Sequence, residues 1–317
     1  MQLVRNNTFN NDIVIVDGIG SSGKAMLCHI LSSFERVEKE QINNLFDAMP
    51  RIHAVGGIST DAAITLLRIE TDMALYYSMI SRGVNFRPSD TTSIFQDAYP
   101  LRYIKRLFLK ERESSLNRIS DDKPIFQVLT HDGLTNAPLF FNAFSNRLKM
   151  VYIDRNPIDI IYDWFTRGFG ERIGTDPLDI QLTYKFRNED IPLSARGWEE
   201  TYIKSDIVDR VIGMVYNDDA GDWKGYGKLS DYLKEKVMFI NFDKLVTEPT
   251  MICKQIADFL GTNTTHRTKP ILKKERCPRV IDTNELHRKR EFLEDNATFR
   301  FKKKLNKLID RYENKSI

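Results

Sequence analysis

The sequence is poor in cysteine, with three such residues among 317. Cys28, Cys253 and Cys277 are far apart, and none belongs to a closely spaced pair of the kind that binds zinc. Disulfide frameworks are typical of short secreted chains rather than of chains this long. We therefore expect buried or unreactive thiols, without a disulfide framework or a cysteine-based metal site.

Long hydrophobic runs and a strong net charge are also absent. No segment contains the roughly 18 consecutive apolar residues that indicate a transmembrane helix. The N-terminus lacks the charged segment and apolar run that mark a signal peptide. With 47 basic and 44 acidic residues, the net charge of +3 gives no basis for binding nucleic acid or a membrane surface. The sequence therefore predicts a cytoplasmic protein without nucleic-acid or membrane partners.

Four short apolar segments indicate β-strands. They are rich in β-branched and aromatic residues, as expected of strands that are buried on both faces of a parallel sheet. The segments are Ile13–Val16, Phe126–Leu129, Met150–Ile153 and Val237–Ile240. Arg51–Val55 is a weaker candidate for a fifth strand. The sequence therefore predicts an α/β fold with a parallel sheet of four or five strands.

Helical patterns lie between and after these strands. The predicted helices are Ala25–Phe34, Asp61–Ser81, Pro138–Asn146, one that begins at Pro157, Pro249–Leu260 and Phe299–Tyr312. Strands that alternate with helices favour a doubly wound parallel sheet, flanked by helices, in a single domain over residues 1–317. We interpret residues 35–120 and 170–230 as helical excursions from this domain.

The segment Gly18–Lys24 has the spacing Gly-x-x-x-x-Gly-Lys and lies between a predicted strand and a predicted helix. This is the context of a phosphate-binding P-loop. Backbone N–H groups and the helix N-terminus bind the anion in such a loop, and the lysine adds a full positive charge. We expect a phosphate or sulfonate group here. A chance Gly/Ser-rich turn with a surface lysine is the alternative.

The residue after the lysine is Ala25, which lacks a hydroxyl group. P-loop NTPases use a Ser or Thr at this position to hold Mg²⁺. Asp132 and Asp154 are the available acidic residues at strand ends. The sequence therefore favours nucleotide chemistry without a metal ion, and a P-loop kinase or NTPase is the alternative.

Three further segments follow the loop in order. They are Leu129–His131, Met150–Asp159, and Phe239–Pro249 with a helix that ends at Phe259–Gly261. Together with the loop they resemble the sulfotransferases that use 3′-phosphoadenosine-5′-phosphosulfate. In that family a phosphosulfate loop precedes strands ending in Thr-His and Arg-Asn-Pro-x-Asp, and then a helix ending in Phe-Leu-Gly. The resemblance spans about residues 12–261 and implies the P-loop-containing sulfotransferase fold.

The resemblance also implies which residues grip the 5′-phosphosulfate of the donor. That role falls on the amides and side chains of Gly20, Ser21, Ser22, Gly23, Lys24 and Ala25. Family loops commonly have Lys or Arg where this chain has Ser21, so the positive charge is displaced to Lys24. We expect Lys24 to stabilise the charge that develops on the leaving phosphate oxygen during catalysis.

The histidine at the strand end is the general base in many family members, and here it is His131. An unperturbed imidazole titrates near 6.5, so it can accept the proton of an acceptor hydroxyl. Asp132 is the alternative base, and a hydrogen-bonded structural histidine is the alternative interpretation. Leu129 stands where the family often has a lysine.

Arg155 matches the arginine that binds the 3′-phosphate of the donor, and a guanidinium can hold a phosphate through two parallel hydrogen bonds. A surface ion pair with Asp154 or Asp159 is the alternative. Where the family has a serine on the same phosphate, this chain has Asp163, whose carboxylate would repel it. The best candidates for a basic segment that closes the nucleotide site are Arg288, Lys289 and Arg290, with Arg276 and Arg279 next.

The resemblance implies transfer of a sulfuryl group from the donor, with 3′,5′-adenosine bisphosphate as the product and without a metal ion. The acceptor is expected to be a small molecule, a carbohydrate or another compound with a hydroxyl or amine. A non-catalytic relative, which Ser21, Leu129 and Asp163 favour, is a further alternative. We expect acceptor-binding aromatic residues in Asp72–Tyr103, although such residues on helices can also be core. The sequence indicates no oligomeric state.

Overall fold

The computed structural model describes residues 1–40, 43–109 and 113–314. Six strands lie in these residues: β1 (Ile13–Asp17), β2 (Phe126–Leu129), β3 (Leu148–Asp154), β4 (Thr183–Phe186), β5 (Glu189–Pro192) and β6 (Val237–Asn241). Four of them form a parallel sheet in the order β2-β1-β3-β6, and β4 pairs with β5 as an antiparallel hairpin. The predicted α/β fold with a four-stranded parallel sheet is confirmed.

Sixteen α-helices flank the strands within the described residues. They are α1 (Lys24–Leu31), α2 (Leu45–Ala54), α3 (Thr60–Met79), α4 (Pro100–Arg106), α5 (Glu113–Asp122), α6 (Ala137–Phe144), α7 (Pro157–Thr166), α8 (Phe169–Arg172), α9 (Glu199–Lys204), α10 (Ile207–Gly227), α11 (Asp231–Lys234), α12 (Phe242–Thr247), α13 (Pro249–Leu260), α14 (Thr268–Lys274), α15 (Thr283–Asn296) and α16 (Phe299–Asn314). The helix that begins at Pro157 starts where predicted. There the Asn156 side chain accepts a hydrogen bond from the Ile158 N–H at 3.0 Å, which satisfies one of the first amides.

Side chains of the central strands alternate between two apolar layers. Val14, Val16 and Ile153 face the layer that contains α1 and α13, whereas Ile13 and Ile15 face the layer that contains α3 and α6. Both faces of the sheet are therefore covered, which explains why its strands are almost continuously apolar. A third apolar cluster joins α7, α10, α15 and α16 beside this sandwich.

The prediction of a fifth strand at Arg51–Val55 is wrong, because these residues form the end of α2 and its cap. Phe46, Met49 and Pro50 are buried at helical spacing, while Ile52 and Val55 are exposed on the other side. The alternation of apolar residues over 51–55 resembled a strand, but the helical periodicity of the longer segment determines the structure.

The two predicted excursions differ in content. Residues 35–120 contain α2 to α4 and most of α5, although residues 41–42 and 110–112 lie outside the described part. Residues 170–230 contain α9 and α10, but also the β4–β5 hairpin, which the helical interpretation missed. The three cysteines are free and buried. In the described residues, no helix is both long and apolar enough to span a membrane.

Candidate functional site

The strand order brings the predicted site residues to one edge of the sheet. β1 lies between β2 and β3, and all three are parallel. Their carboxyl ends therefore meet, and ligands of open α/β sheets bind at this edge. The loop after β1 lies between the turn that carries His131 and the segment that carries Arg155.

The loop between β1 and α1 has an unusual backbone. Ser21 and Gly23 have positive φ angles of 69° and 102°. A Cβ atom on Gly23 would lie 2.7 Å from the Phe242 ring, so glycine is required here for space as well as for conformation. The Ser22 hydroxyl is buried and has no hydrogen-bond partner in the described part of the chain. No side chain caps α1 there, so a hydroxyl and helix amides are available to an anion.

Lys24 is the first residue of α1 and is 5% exposed. Its ammonium group donates to the carbonyl oxygen of Gly18, which holds the side chain beneath the loop. Burial lowers the pKa of Lys24, although the charges of Asp17 and Asp47 act in the opposite direction. Ala25, the next residue, is exposed and offers no hydroxyl.

Asp17, at the end of β1, ties the loop strand to the neighbouring turn. Its buried carboxylate accepts hydrogen bonds from the Thr130 hydroxyl at 2.9 Å and the Leu134 N–H at 2.6 Å. Burial raises the pKa of Asp17, and the nearby charge of Lys24 counteracts that rise. The Thr130 of the Thr-His segment is therefore a structural anchor for the residue that follows it.

His131 is paired with a carboxylate from α2. Its Nδ1 lies 2.9 Å from Oδ2 of Asp47, and its backbone N–H donates to Oδ1 at 2.8 Å. Burial alone would raise the pKa of Asp47, but the hydrogen bonds and charge of His131 and the charge of Arg51 outweigh it, so the pKa is lowered. An ionised carboxylate only accepts hydrogen bonds, so Nδ1 carries the proton and Nε2 carries the lone pair of the neutral ring. This arrangement suits a general base.

Asp132, the alternative base, has a different partner. Its carboxylate accepts a hydrogen bond from Nε of Arg51, one helical turn after Asp47 on α2. Asp218 on α10 lies in the same region, and burial followed by the charge of Asp132 raises its pKa to about 8. Because Asp132 is held in an ion pair, the geometry favours His131 over Asp132 as the proton acceptor.

Arg155 lies against the loop rather than pointing away from it. Its Nη1 donates to the carbonyl oxygen of Ser21 at 2.9 Å, and its guanidinium lies 4.6 Å from the centre of the Phe242 ring. The buried Nε has no hydrogen-bond partner in the described residues. The ion pair with Asp159, which was the alternative interpretation, is present at 3.6 Å. The guanidinium is thus close to the loop and retains a donor for an anion.

Asp163 contacts the side chain of Ser21, whereas Arg155 contacts its backbone. Its carboxylate accepts a hydrogen bond from the Ser21 hydroxyl, which also accepts one from Nη1 of Arg167 at 3.1 Å. Arg167 lies 3.4 Å from the same carboxylate. The negative charge of Asp163 at the loop is therefore partly balanced by a neighbouring arginine.

The C-terminal basic segment lies on α15, and only part of it reaches the site. Lys289 bonds Asp159 at 2.7 Å, and both residues line a cavity of about 210 Å³ with Arg155 and Arg279. Arg290 pairs instead with Glu294 at 2.7 Å on its own helix, and Arg288 is exposed. The structure therefore brings Lys289 and the second-choice residue Arg279 towards Arg155.

A separate cavity of about 350 Å³ lies beside Asp132 and Arg51. Its walls come from α2, α10, the turn after β2 and the segment around the hairpin, and not from Asp72–Tyr103. Tyr103 in that stretch is fully buried, and its hydroxyl accepts a hydrogen bond from the Lys39 N–H at 2.8 Å. At least this aromatic residue is core, as the alternative interpretation held.

Sequence reasoning missed several residues of this edge. Asp47, Arg51 and Asp218 lie in the two stretches that were treated as excursions, and no motif marks them. Trp164 donates from Nε1 to the Gly20 carbonyl oxygen at 3.0 Å and so fixes the loop from α7. Phe242 lies between Arg155 and Arg279 and also supports Gly23. Its place directly after the strand end of β6 was the one available signal.

Comparisons with known proteins identify the family. A comparison with curated protein sequences finds no match. Similar solved structures include the sulfotransferase domain of the Synechococcus PCC 7002 olefin synthase, with 12% identity, a TM-score of 0.44, and 100% of this chain and 93% of that chain covered. A sulfotransferase from Alicyclobacillus acidocaldarius has 13% identity, a TM-score of 0.39, and coverage of 96% and 99%.

These structural similarities are too weak to carry an argument by themselves, whereas the family match is extensive. The model of the sulfotransferase domain family matches residues 14–311, which include the loop, His131, Arg155 and the basic segment. Because this match spans nearly the whole sequence, the chain belongs to the sulfotransferase domain family.

Proposed function

We propose that the protein transfers a sulfuryl group from 3′-phosphoadenosine-5′-phosphosulfate to an acceptor hydroxyl or amine, with His131 as the general base. The observation that carries this proposal is the position of the His131–Asp47 pair at the sheet edge beside the loop and Lys24. Family membership supports the reaction class.

The residues present fit the donor. The loop offers the uncapped start of α1 and the unpartnered Ser22 hydroxyl to the 5′ end, and Arg155 offers a free Nε to the 3′-phosphate. When bound, the donor supplies the sulfuryl group and a phosphate leaving group. The ammonium group of Lys24 is held at the Gly18 carbonyl oxygen. From there its positive charge offsets the negative charge that develops on the leaving phosphate oxygen.

His131 accepts the proton of the acceptor. As the acceptor oxygen or nitrogen forms its bond to sulfur, the proton passes to Nε2, and Asp47 stabilises the resulting imidazolium through Nδ1. The electron pair of the broken sulfur–oxygen bond leaves with the phosphate. Asp47 is thus a positioning residue, because it acts through His131.

The donor is tested by thermal unfolding with 3′,5′-adenosine bisphosphate and, in parallel, ATP with Mg²⁺. At a hundred times its dissociation constant, a ligand specific to the folded state stabilises by about 2.7 kcal/mol. We expect the bisphosphate to raise the melting temperature. Stabilisation by ATP and Mg²⁺ alone would support the kinase or NTPase alternative and reject the donor.

A non-catalytic relative is the second candidate, because the Asp163 carboxylate lies at the loop, bonded to Ser21. It predicts that the bisphosphate binds without any sulfated product forming from a panel of acceptors. Detection of the product from labelled donor would exclude it.

A further inference from the structure

Two cavities adjoin each other close to Asp132, the residue that follows the proposed base. The first, of about 350 Å³, lies next to Asp132, and the second measures about 470 Å³. Each is within the range of roughly 300–1,000 Å³ that is typical of ligand sites. They share Val55, Leu193 and Arg196, so together they form one continuous depression.

The first cavity is polar, and its lining contains both neutral and charged residues. Its neutral hydrogen-bonding residues are Thr135, Asn136, Gln181, Ser194 and Asn217. Asp132 and Arg51 are paired with each other, and the exposed Arg196 lies where the two cavities meet. Such a lining offers both hydrogen-bond donors and acceptors, so it suits a polyhydroxylated group.

The second cavity is apolar. Ile52 and Val55 of α2 form one wall, and Leu182, Tyr184 and Leu193 from the hairpin region form the other. Ile52 and Val55 are 36% and 46% exposed. Exposed apolar side chains that line a cavity indicate a binding surface.

The helix α2 carries both the partner of the proposed base and part of the apolar cavity wall. Asp47, Arg51 and Val55 are spaced by four residues, so they lie along one face of α2. Asp47 holds His131, Arg51 holds Asp132, and Val55 lines both cavities. At 1.5 Å per residue, Asp47 and Val55 are about 12 Å apart along the helix.

We propose that the acceptor is an amphiphile, with a polyhydroxylated head in the polar cavity and a hydrocarbon tail in the apolar cavity. The reactive hydroxyl then lies near His131, and the head spans about 12 Å before the tail begins. The identity of the acceptor rests on the proposed function, whereas the binding of such an amphiphile does not.

The test uses maltose and n-hexyl, n-octyl and n-decyl β-D-maltoside as probes, below their micelle-forming concentrations. Isothermal titration calorimetry should show affinity rising about two- to fourfold per methylene, because burial of a methylene contributes about 0.8 kcal/mol. Ile52→Ser should reduce this dependence on chain length. Ile69→Ser on α3 is a matched control, since Ile52 and Ile69 are both 36% exposed.

Equal affinity for maltose and all alkyl maltosides, or no binding of any, would overturn the proposal. So would equal effects of Ile52→Ser and Ile69→Ser, because the tail would then bind elsewhere. Binding of 3′,5′-adenosine bisphosphate is measured on the same samples. If the bisphosphate fails to bind while the dependence on chain length persists, the donor is rejected and the amphiphile site stands.

Discussion

His131 and Asp47 face each other through two hydrogen bonds, one from the ring at 2.9 Å and one from the backbone at 2.8 Å. The residues are 84 positions apart in the chain. Because both the ring and its main chain are held by the same carboxylate, the imidazole has a fixed orientation at the sheet edge. Asp47 determines which ring nitrogen is basic.

Replacement of the base is expected to abolish most turnover. His131→Ala should lower kcat by about 10²–10⁴-fold, the usual contribution of a general base, while the affinity for adenosine bisphosphate is nearly unchanged. His53→Ala, on α2 with its ring near Thr60, is the matched control and should remain active. Steady-state kinetics and calorimetry provide both quantities. Turnover retained in His131→Ala would remove this residue as the base.

Asp47→Asn should lower kcat, although less than His131→Ala does. The amide can no longer stabilise the imidazolium that forms as His131 accepts the proton. The KM for the acceptor and the affinity for adenosine bisphosphate should be nearly unchanged, whereas a purely structural role would weaken binding as well. Steady-state kinetics and calorimetry provide these quantities, with folding checked by circular dichroism.

Arg155→Lys should weaken binding of the bisphosphate selectively. A lysine cannot reproduce the two parallel hydrogen bonds of a guanidinium to phosphate. We expect a loss of about 10- to 100-fold for 3′,5′-adenosine bisphosphate, as for hydrogen bonds to charged groups. AMP, which lacks the 3′-phosphate, should bind both proteins equally. Equal losses for the two nucleotides would show that Arg155 does not contact the 3′-phosphate.

Asp163→Ser should tighten bisphosphate binding, because it removes a carboxylate from the Ser21 side of the loop. The gain should be about severalfold, since Asp163 is 42% exposed and Arg167 already offsets its charge. This gain in affinity should be smaller at high salt, because salt screens the charge of Asp163. Asp258→Ser, on the exposed side of α13, is the control for net charge. A weaker affinity in Asp163→Ser would mean that this carboxylate supports the loop instead.

Stability should depend on the buried pair of Glu38 and Arg106, which share two hydrogen bonds of 2.6 and 2.9 Å. Burial tends to raise the pKa of Glu38, but the charge and hydrogen bonds of Arg106 lower it overall. Glu38→Gln should reduce the free energy of unfolding by about 3–5 kcal/mol at pH 7, because Arg106 loses its partner.

The pH dependence of this difference in unfolding free energy follows from the lowered pKa of Glu38. A carboxyl group whose folded pKa is depressed stabilises fully above its unfolded pKa, about 4.3, and loses this contribution as pH falls through the folded value. In urea unfolding, the difference between the two proteins should therefore begin to shrink below about pH 4.3 and disappear only below the lower pKa of folded Glu38. Asp190→Asn, which breaks the exposed pair with Lys185, should cost at most about 1 kcal/mol.

The central strands of the sheet were predictable because their local composition determines them. Val14–Val16 and Val151–Ile153 are buried on both faces, so their apolar character did not depend on distant partners. The start of α7 was also predictable from the Arg155-Asn156-Pro157 segment, since the Asn156 side chain caps this helix locally. The hairpin was missed although Tyr184 and Phe186 alternate with polar residues before a short turn.

The remainder of the site depends on long-range contacts that leave no local trace. Asp47 is important because of His131, and Arg51 because of Asp132, yet each looks like an ordinary polar residue on a helix. Their positions are fixed only when α2 packs beside the end of β2. Lys289 rather than Arg288 contacts Asp159 for a similar reason. Which of these neighbouring residues faces Asp159 depends on how α15 is rotated about its axis when it packs.

Asp17 connects the loop after β1 to the turn that carries His131. It receives the Thr130 hydroxyl and the Leu134 N–H from the histidine turn, and the charge of Lys24 acts on it from the loop. In the proposed reaction, the loop holds the donor and the histidine turn holds the acceptor, so Asp17 connects the two sides. On that proposal, Asp17 sets the alignment of the attacking atom, the sulfur and the leaving group.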